Sequence, residues 1–262
     1  MSNLRTVLLI STLALAACGG SSGGSGGNSN SSPSFDGNKA GEISIAGVRF
    51  TNGYADPGRA DDVTYNPRTK RLEAGDVFNG TIRDGGSATD RDGNRINVTN
   101  PDRTRYVRRF AASNSNGSRV YNGVMGFETE EMPRSANLTY NGTTDGYLTT
   151  EGTTREYDAR VRMTANTATG RGTYKMNNVK AKDGRSMSLT GVSENVVLDD
   201  ESFQSAQDGS LKISSGRNKA LGSEVEGSNV GFFYGPDAQE VGGGYYYSTT
   251  EAILTGRYTG KR

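Results

Sequence analysis

The sequence predicts an all-β protein whose second half closes into an eight-stranded antiparallel β-barrel or a close relative. Residues 157–164 alternate strictly between apolar and polar side chains, which is the period of a strand with one buried face. No window of about 12 residues carries the apolar stripe of a helix. Hydrophobic residues make up only 32% of the chain and glycine supplies 37 positions, a composition that favours strands and turns over a large helical core.

The composition also excludes several classes of function. The chain has no histidine and a single cysteine, Cys18. Ser-His-Asp and Cys-His catalysis, zinc fingers, His-ligated haem and an intramolecular disulfide are therefore excluded. The 30 basic and 29 acidic residues nearly balance, whereas nucleic-acid binding requires a clustered excess of positive charge. We therefore expect no nucleic-acid partner.

Residues 1–17 are typical of a lipoprotein signal peptide. Arg5 provides a basic start, and the apolar run that follows is too short to cross a hydrocarbon core of about 30 Å. Residues 15–18 read Leu-Ala-Ala-Cys, which resembles the bacterial lipobox, where the cysteine thiol receives diacylglycerol. The alternative is a free cysteine after an ordinary secretory signal. We expect Cys18 to be the lipid anchor, acylated with chains such as palmitate.

The residues after Cys18 predict the location and a tether. Gly19 stands where enteric bacteria place the Asp that retains lipoproteins at the inner membrane, so we expect the bacterial outer membrane. The stretch 19–38 is rich in Gly, Ser and Asn and has almost nothing to bury, so it is expected to be a flexible coil spanning roughly 25 Å. Residues 18–38 therefore form the anchor and tether, which suits a protein that meets large partners.

Residues 39–117 are predicted to form short strands joined by long loops. The apolar side chains of Ile43, Ile45, Val48 and Phe50 alternate imperfectly before a turn-rich region. The stretch 90–94 is similar to a calcium-binding loop, but its glycine comes two places too early for an EF-hand, and a plain polar turn is the alternative.

The stretch 103–110 interleaves four arginines with Tyr, Val and Phe. Forked guanidinium donors beside aromatic rings could bind an anionic or protein ligand, so we predict Arg105, Tyr106 and Arg108 as ligand-binding residues. The alternative is a solvated strand face balanced by nearby acids.

After about residue 118, strand-sized runs recur between turn residues. Glycines on the apolar register, such as Gly172 and Gly256, suit a small barrel in which strands coil tightly, or they mark bulges. Besides 157–164, the runs are 119–127, 137–140, 146–150, 170–176, 187–192, 209–214, 225–234, 245–250 and 252–258.

The stretch 231–245, GFFYGPDAQEVGGGY, carries the most specific motif. It resembles the G-x-F-Y-G-P-x-A-x-E-x-G-G-x-F signature of the transferrin-binding protein B family, whose barrels also occur in factor H binding protein; Tyr245 replaces the final Phe. Segments 126–142 and 254–258 resemble the opening and closing strands of the same barrel. The aromatic residues, glycines and proline are explained as a barrel corner, so the motif is expected to be architectural and no binding residue is assigned to it.

The resemblance implies one lobe, with a small handle domain at 39–117 and the barrel at 118–262. It also implies a surface-exposed lipoprotein that binds a host protein or a haem or iron source for nutrient acquisition. A TonB-dependent receptor is a further implied partner. The alternative is a non-nutrient protein that binds a complement regulator or another envelope component. Transferrin contacts of the family lie in loops that have no recognisable counterpart here.

Neither a resident cofactor nor enzymatic activity is expected. Haem is an open alternative as a ligand, held by tyrosines such as Tyr245, Tyr246 or Tyr247. Only paired carboxylates could supply acid–base chemistry, and the two clusters, at 128–131 and 199–201, fall at apparent strand ends where acids are ordinarily solvated. No metal site is predicted.

Overall fold

The described part of the chain begins after the predicted signal peptide. Cys18 and most of the tether lie outside it, so lipidation stays a prediction. No helix among the described residues is long and apolar enough to cross a membrane. The computed structural model describes residues 33–37, 41–51, 54–74, 78–83, 85–216 and 225–262.

The first sheet, which we call the handle, has eight antiparallel strands in the order β4-β3-β2-β1-β8-β7-β6-β5. The edge strands β4 and β5 lie next to each other, so the sheet curls into a nearly closed barrel around its own apolar core. The strands are β1 (Gly41–Thr51), β2 (Tyr54–Asn66), β3 (Arg71–Ala74), β4 (Phe78–Thr81), β5 (Gly86–Thr89), β6 (Arg95–Thr99), β7 (Val107–Ser113) and β8 (Arg119–Gly126).

The end of the predicted tether packs on the handle. Phe35 is 7% exposed, and its ring centroid lies 4.9 Å from that of Tyr65 and 5.3 Å from that of Phe127. Its N–H also donates to the carbonyl of Arg105. Burial of one aromatic side chain contributes about 1.5–3 kcal/mol, which is enough to order a short polar segment that composition alone assigns to a coil.

The second sheet, which we call the barrel, closes on itself. Eight strands form the ring, because β11 pairs with β12, and β14 adds to the edge of β12. The fold class predicted from the sequence is therefore confirmed. The strands are β9 (Asn137–Thr150), β10 (Thr153–Asn166), β11 (Arg171–Ala181), β12 (Leu189–Asp199), β13 (Ser202–Ser205), β14 (Lys212–Ser215), β15 (Val225–Tyr234), β16 (Glu240–Thr249) and β17 (Ala252–Lys261).

The chain passes from handle to barrel later than the expected boundary at residue 118. Strand β8 follows β7 through a short turn at 114–118 and pairs with both β7 and β1, so it completes the handle. The change of sheet therefore falls between Gly126 and Asn137. The two short runs at 137–140 and 146–150 are one continuous strand, β9, because the polar residues between them stay paired with β10 and β17.

Aromatic rings fill the interior of the barrel. The ring centroids of Tyr174 and Tyr258 lie 4.8 Å apart, and those of Tyr245 and Tyr247 lie 5.2 Å apart in a stacked arrangement. The alternation predicted at 157–164 supplies further inward side chains. The interior is a packed core, as small barrels require. The tyrosines with at most 1% exposure in this core are Tyr140, Tyr157, Tyr174, Tyr245, Tyr247 and Tyr258.

One carboxylate, that of Glu194, lies among these rings. It is 3% exposed and accepts hydrogen bonds from the hydroxyl of Tyr247 (2.5 Å), the hydroxyl of Ser205 (2.7 Å) and the amide of Asn229 (2.8 Å). Burial raises the pKa of the Glu194 carboxyl above its usual value of 4.5, and the three donors only partly oppose that effect. The folded state therefore holds this proton more tightly than the unfolded state.

We expect Glu194→Gln to reduce the fall in stability with rising pH by the part that this carboxyl contributes. The folded-state pKa is raised, so wild-type stability decreases from about pH 4.5 upward until the folded-state pKa is passed. The slope contributed by one such group is at most about 1.4 kcal/mol per pH unit. Urea unfolding at several pH values measures it. Exposed Glu251→Gln is the control and should keep the wild-type slope; an unchanged slope in Glu194→Gln would contradict the assignment.

Candidate functional site

The handle rests on the barrel through backbone contacts, at a surface we call the junction. A Cβ built on Gly244 of β16 would lie 2.6 Å from the Cα of Gly47 in β1. An apolar cluster surrounds this contact and includes Tyr106 and Val107 from the handle. Gly242, where a Cβ would lie 3.0 Å from Val107, and Gly244 therefore make room for the handle strands, whereas Gly243 faces Tyr258 inside the barrel.

The carboxylate of Glu240 holds the start of β7 at the junction. Its Oε1 accepts the N–H of Arg105 (2.6 Å), and its Oε2 accepts those of Tyr106 (2.8 Å) and Val107 (3.2 Å). Burial raises the pKa of the Glu240 carboxyl, and these donors partly oppose the shift. Glu240 thus joins the first residue of β16 to the handle by three hydrogen bonds.

The turn before β16 has a backbone that few residues can adopt. Gly235 has φ +74°, and a Cβ there would lie 2.3 Å from the ring of Tyr106. Pro236–Ala238 then form a short 3-10 turn in which Asp237 and Ala238 have positive φ. The motif at 231–245 is therefore accounted for by the corner and the junction, as its residue types predict.

The three predicted ligand-binding residues are neighbours, but they differ in exposure. Tyr106 is 5% exposed and Arg108 is 1% exposed, whereas the side chain of Arg105 is exposed, with its guanidinium 5.6 Å from the Tyr106 ring centroid. Arg108 lies over the ring of Phe35 and pairs with Asp36 at 3.2 Å. Of the three, only Arg105 has an exposed side chain.

Arg109, next in sequence, crosslinks the handle to the barrel. It is 2% exposed and pairs with Asp102 (2.6 Å) from the handle and Asp145 (2.9 Å) from β9. Its Nε donates to the hydroxyl of Thr259 in β17 at 3.0 Å. Asp145 also pairs with Arg257 at 3.1 Å. Losing one partner of such a buried pair costs about 3–5 kcal/mol, so this network fixes the position of the handle.

Sequence reasoning missed the residues that hold the junction. Glu240 could have been noticed, because it is an acid at a fixed position among the glycines of the motif. Its role as an acceptor could not, because the N–H groups that it binds belong to a segment more than a hundred residues away. Asp102 and Asp145 gave no signal, since each is one acid among many in polar stretches. Only the packing of one sheet on the other brings them to Arg109.

The two remaining sequence candidates fall outside the junction. The carboxylate of Asp90 accepts the N–H groups of Asn79, Asp92 and Asn94 at 2.9–3.0 Å. Burial acts to raise the pKa of the Asp90 carboxyl, but these hydrogen bonds outweigh burial and lower the pKa. This favours the polar turn over a calcium loop, and the described residues contain no group of His, Cys, Asp or Glu placed to hold a metal ion. The clustered acids Glu130, Glu131, Asp199 and Asp200 are exposed.

Of the three tyrosines considered as haem ligands, Tyr245 and Tyr247 belong to the barrel core, whereas Tyr246 is half-buried and lies outside that core. The hydroxyl of Tyr245 lies 2.5 Å from that of Tyr157, and the hydroxyl of Tyr247 donates to Glu194. Burial raises the pKa of both Tyr245 and Tyr247. Iron ligation by a phenolate needs the opposite effect, so these two side chains favour packing over ligation.

Comparison with known proteins gives structural matches alone. No protein-family model and no curated relative matches the chain. Transferrin binding protein B from serogroup B Neisseria meningitidis overlays 83% of the chain at 19% identity, with a TM-score of 0.56. A mutant of the Haemophilus parasuis protein overlays 84% at 16% identity, with a TM-score of 0.55. The chain has the fold of a transferrin binding protein B lobe. The matches cover only 43% and 45% of those proteins, so the chain spans less than half of their length.

We expect Gly235→Ala to destabilise the protein more than Gly152→Ala. Both glycines have φ +74°, but a Cβ at 152 meets open space, whereas a Cβ at 235 meets the Tyr106 ring. The left-handed backbone costs about 1–2 kcal/mol at either site, and the clash at 235 adds about 1–3 kcal/mol. Urea unfolding of the two variants checks this; equal destabilisation would contradict the steric account.

We expect Glu240→Gln to lower the free energy of unfolding by about 1–3 kcal/mol, because an amide NH₂ would face backbone donors and leave at least one without an acceptor. Denaturant unfolding and limited proteolysis at the junction measure the effect. Glu226→Gln, an exposed change on the adjacent strand β15, is the matched control. If both variants unfold like the wild type, Glu240 does not stabilise the junction in the way assigned to it.

Proposed function

We propose that this chain is a lipid-anchored protein of the bacterial outer membrane that captures a host iron-carrying or haem-carrying protein at the cell surface. The observation that carries the proposal is the handle-plus-barrel architecture, which is also that of proteins named for transferrin binding. The lipobox-like sequence ending at Cys18 and the tether after it support the anchor. The predicted coil between Cys18 and the packed segment at Phe35 would span roughly 20 Å, which would let the domain reach a large soluble partner.

The chemistry of the lobe supports binding rather than catalysis. The buried carboxylates of Glu194 and Glu240 are occupied by hydrogen bonds from the protein itself. The exposed acids at the strand ends lack the burial that tunes a general acid. What the lobe offers a partner is a rigid surface, with Arg105 as one exposed cation beside the junction.

We expect the lobe to retain one dominant iron-carrying or haem-carrying protein from host plasma or haemoglobin-rich lysate. The test uses the compact unit Ser32–Arg262, immobilised on a matrix and read by mass spectrometry and a visible spectrum. This unit keeps Phe35, which a cut at residue 39 would remove from the handle core. Truncation of an interface arginine costs over about 1 kcal/mol, so Arg105→Ala should weaken retention about fivefold or more.

The matched control is Arg68→Ala, which removes an exposed arginine from the turn between β2 and β3. It should leave retention unchanged. Retention of a complement regulator would replace the nutrient role with the non-nutrient alternative. No retention above an empty matrix would reject host-protein capture, and equal losses in the two arginine variants would remove Arg105 from the binding surface.

A further inference from the structure

A cleft of about 710 Å³ opens where the handle meets the outer face of the barrel. The handle contributes residues of the loop after β6, and the barrel contributes β9, β10, β11 and β17 together with Lys182. The side chains that give the cleft its charge are Arg109, Asp145, Asp158, Arg160, Lys180, Lys182 and Arg257. Five of these seven are basic, so the cleft is positive although the chain as a whole is nearly neutral.

The floor of the cleft contains a guanidinium with unused donors. Arg257 is 12% exposed and pairs through its Nε with Asp145, the carboxylate that also serves Arg109. Its Nη1 is buried and has no hydrogen-bond acceptor among the described residues. Asp145 therefore serves both guanidiniums, although Arg109 also pairs with Asp102, and the unpaired Nη1 of Arg257 lies beneath the surface of the cleft.

The rim of the cleft carries two cations that the fold does not use. Arg160 on β10 and Lys180 on β11 are exposed, and neither forms an ion pair with any residue that the structure describes. Lys182 differs, because it lies 3.5 Å from Glu156 and 3.6 Å from Asp158. Arg160 and Lys180 are therefore available to an incoming anion.

Apolar side chains lie on the outer face of the barrel that also carries the cleft. Tyr147 is 40% exposed and lies two residues from Asp145 on β9, so both point outward. Ile253 is 41% exposed and lies four residues before Arg257 on β17, again on the same face. Aromatic and aliphatic side chains beside arginine are typical of protein-binding surfaces.

We propose that this cleft binds an acidic segment of a protein partner, with Arg160 and Lys180 at the rim receiving its carboxylates. The proposal deepens the function proposed above and rests on it only for the identity of the partner. Asp145 and Asp158 stand among the cations, which disfavours a multiply charged phosphate and suits singly charged carboxylates. Tyr147 and Ile253 would contact the apolar flank of the same segment.

The test measures binding of a fluorescein-labelled hexaglutamate peptide to the full-length protein by fluorescence anisotropy. We expect saturable binding that weakens as salt rises, because exposed charges are screened. Replacing both rim cations, Arg160→Ser with Lys180→Ser, should weaken binding about tenfold, since each exposed ion pair contributes up to about 1 kcal/mol. Inorganic phosphate should compete poorly.

The matched control is Arg162→Ser with Lys175→Ser. These residues face each other on β10 and β11, are exposed, and lie outside the cleft lining. The control removes the same charge and should bind the peptide like the wild type. Equal losses in the two double variants, no binding, or displacement by phosphate at lower concentration than free glutamate would each overturn the proposal.

The peptide result and the host-protein result are independent. If the peptide binds specifically to the cleft but no iron or haem protein is retained, the cleft is a binding site for acidic segments and the proposed function is rejected. A retained host protein that binds the two double variants equally would keep the function and reject the cleft as its binding site.

Discussion

Three backbone N–H groups of the handle converge on the carboxylate of Glu240, and the arrangement of the two sheets depends on this contact. A buried donor without an acceptor costs about 1–3 kcal/mol, so the start of β7 has to lie where Glu240 is. Glu240 is itself placed by the turn at 235–238, whose positive φ angles bring the chain into β16. The turn at 235–238, strand β16 and the contact between the two sheets therefore depend on one another.

Ion pairs also hold the handle on the barrel at the junction. Arg109 reaches from β7 into a group of acids and hydroxyls that belongs mostly to β9 and β17. Buried ion pairs contribute little net stability compared with apolar packing, but they penalise any arrangement that separates the charges. The apolar cluster around Tyr106 supplies the attraction between the sheets, and Arg109 selects one relative placement.

The fold could be predicted from the sequence because its signals are local. Strict alternation at 157–164 marks a strand, and the motif at 231–245 marks a corner by residue types alone. The junction could not be predicted, because Arg109 looks like a solvated arginine until the barrel covers it, as Arg108 does until Phe35 covers it. Phe35 escaped notice for a similar reason: its partners, Tyr65 and Phe127, are remote in sequence.

The close approach of Gly244 to Gly47 affects how a ligand of this protein associates with it and how much conformational entropy is lost on binding. No side chain separates the two backbones at this point, and the apolar cluster around it is packed, so one sheet cannot slide over the other without breaking these contacts. A ligand that touches both sheets therefore meets a preorganised surface and loses none of its binding free energy to domain closure. Association should then proceed as the docking of rigid bodies, with little rearrangement of the lobe between its free and bound forms.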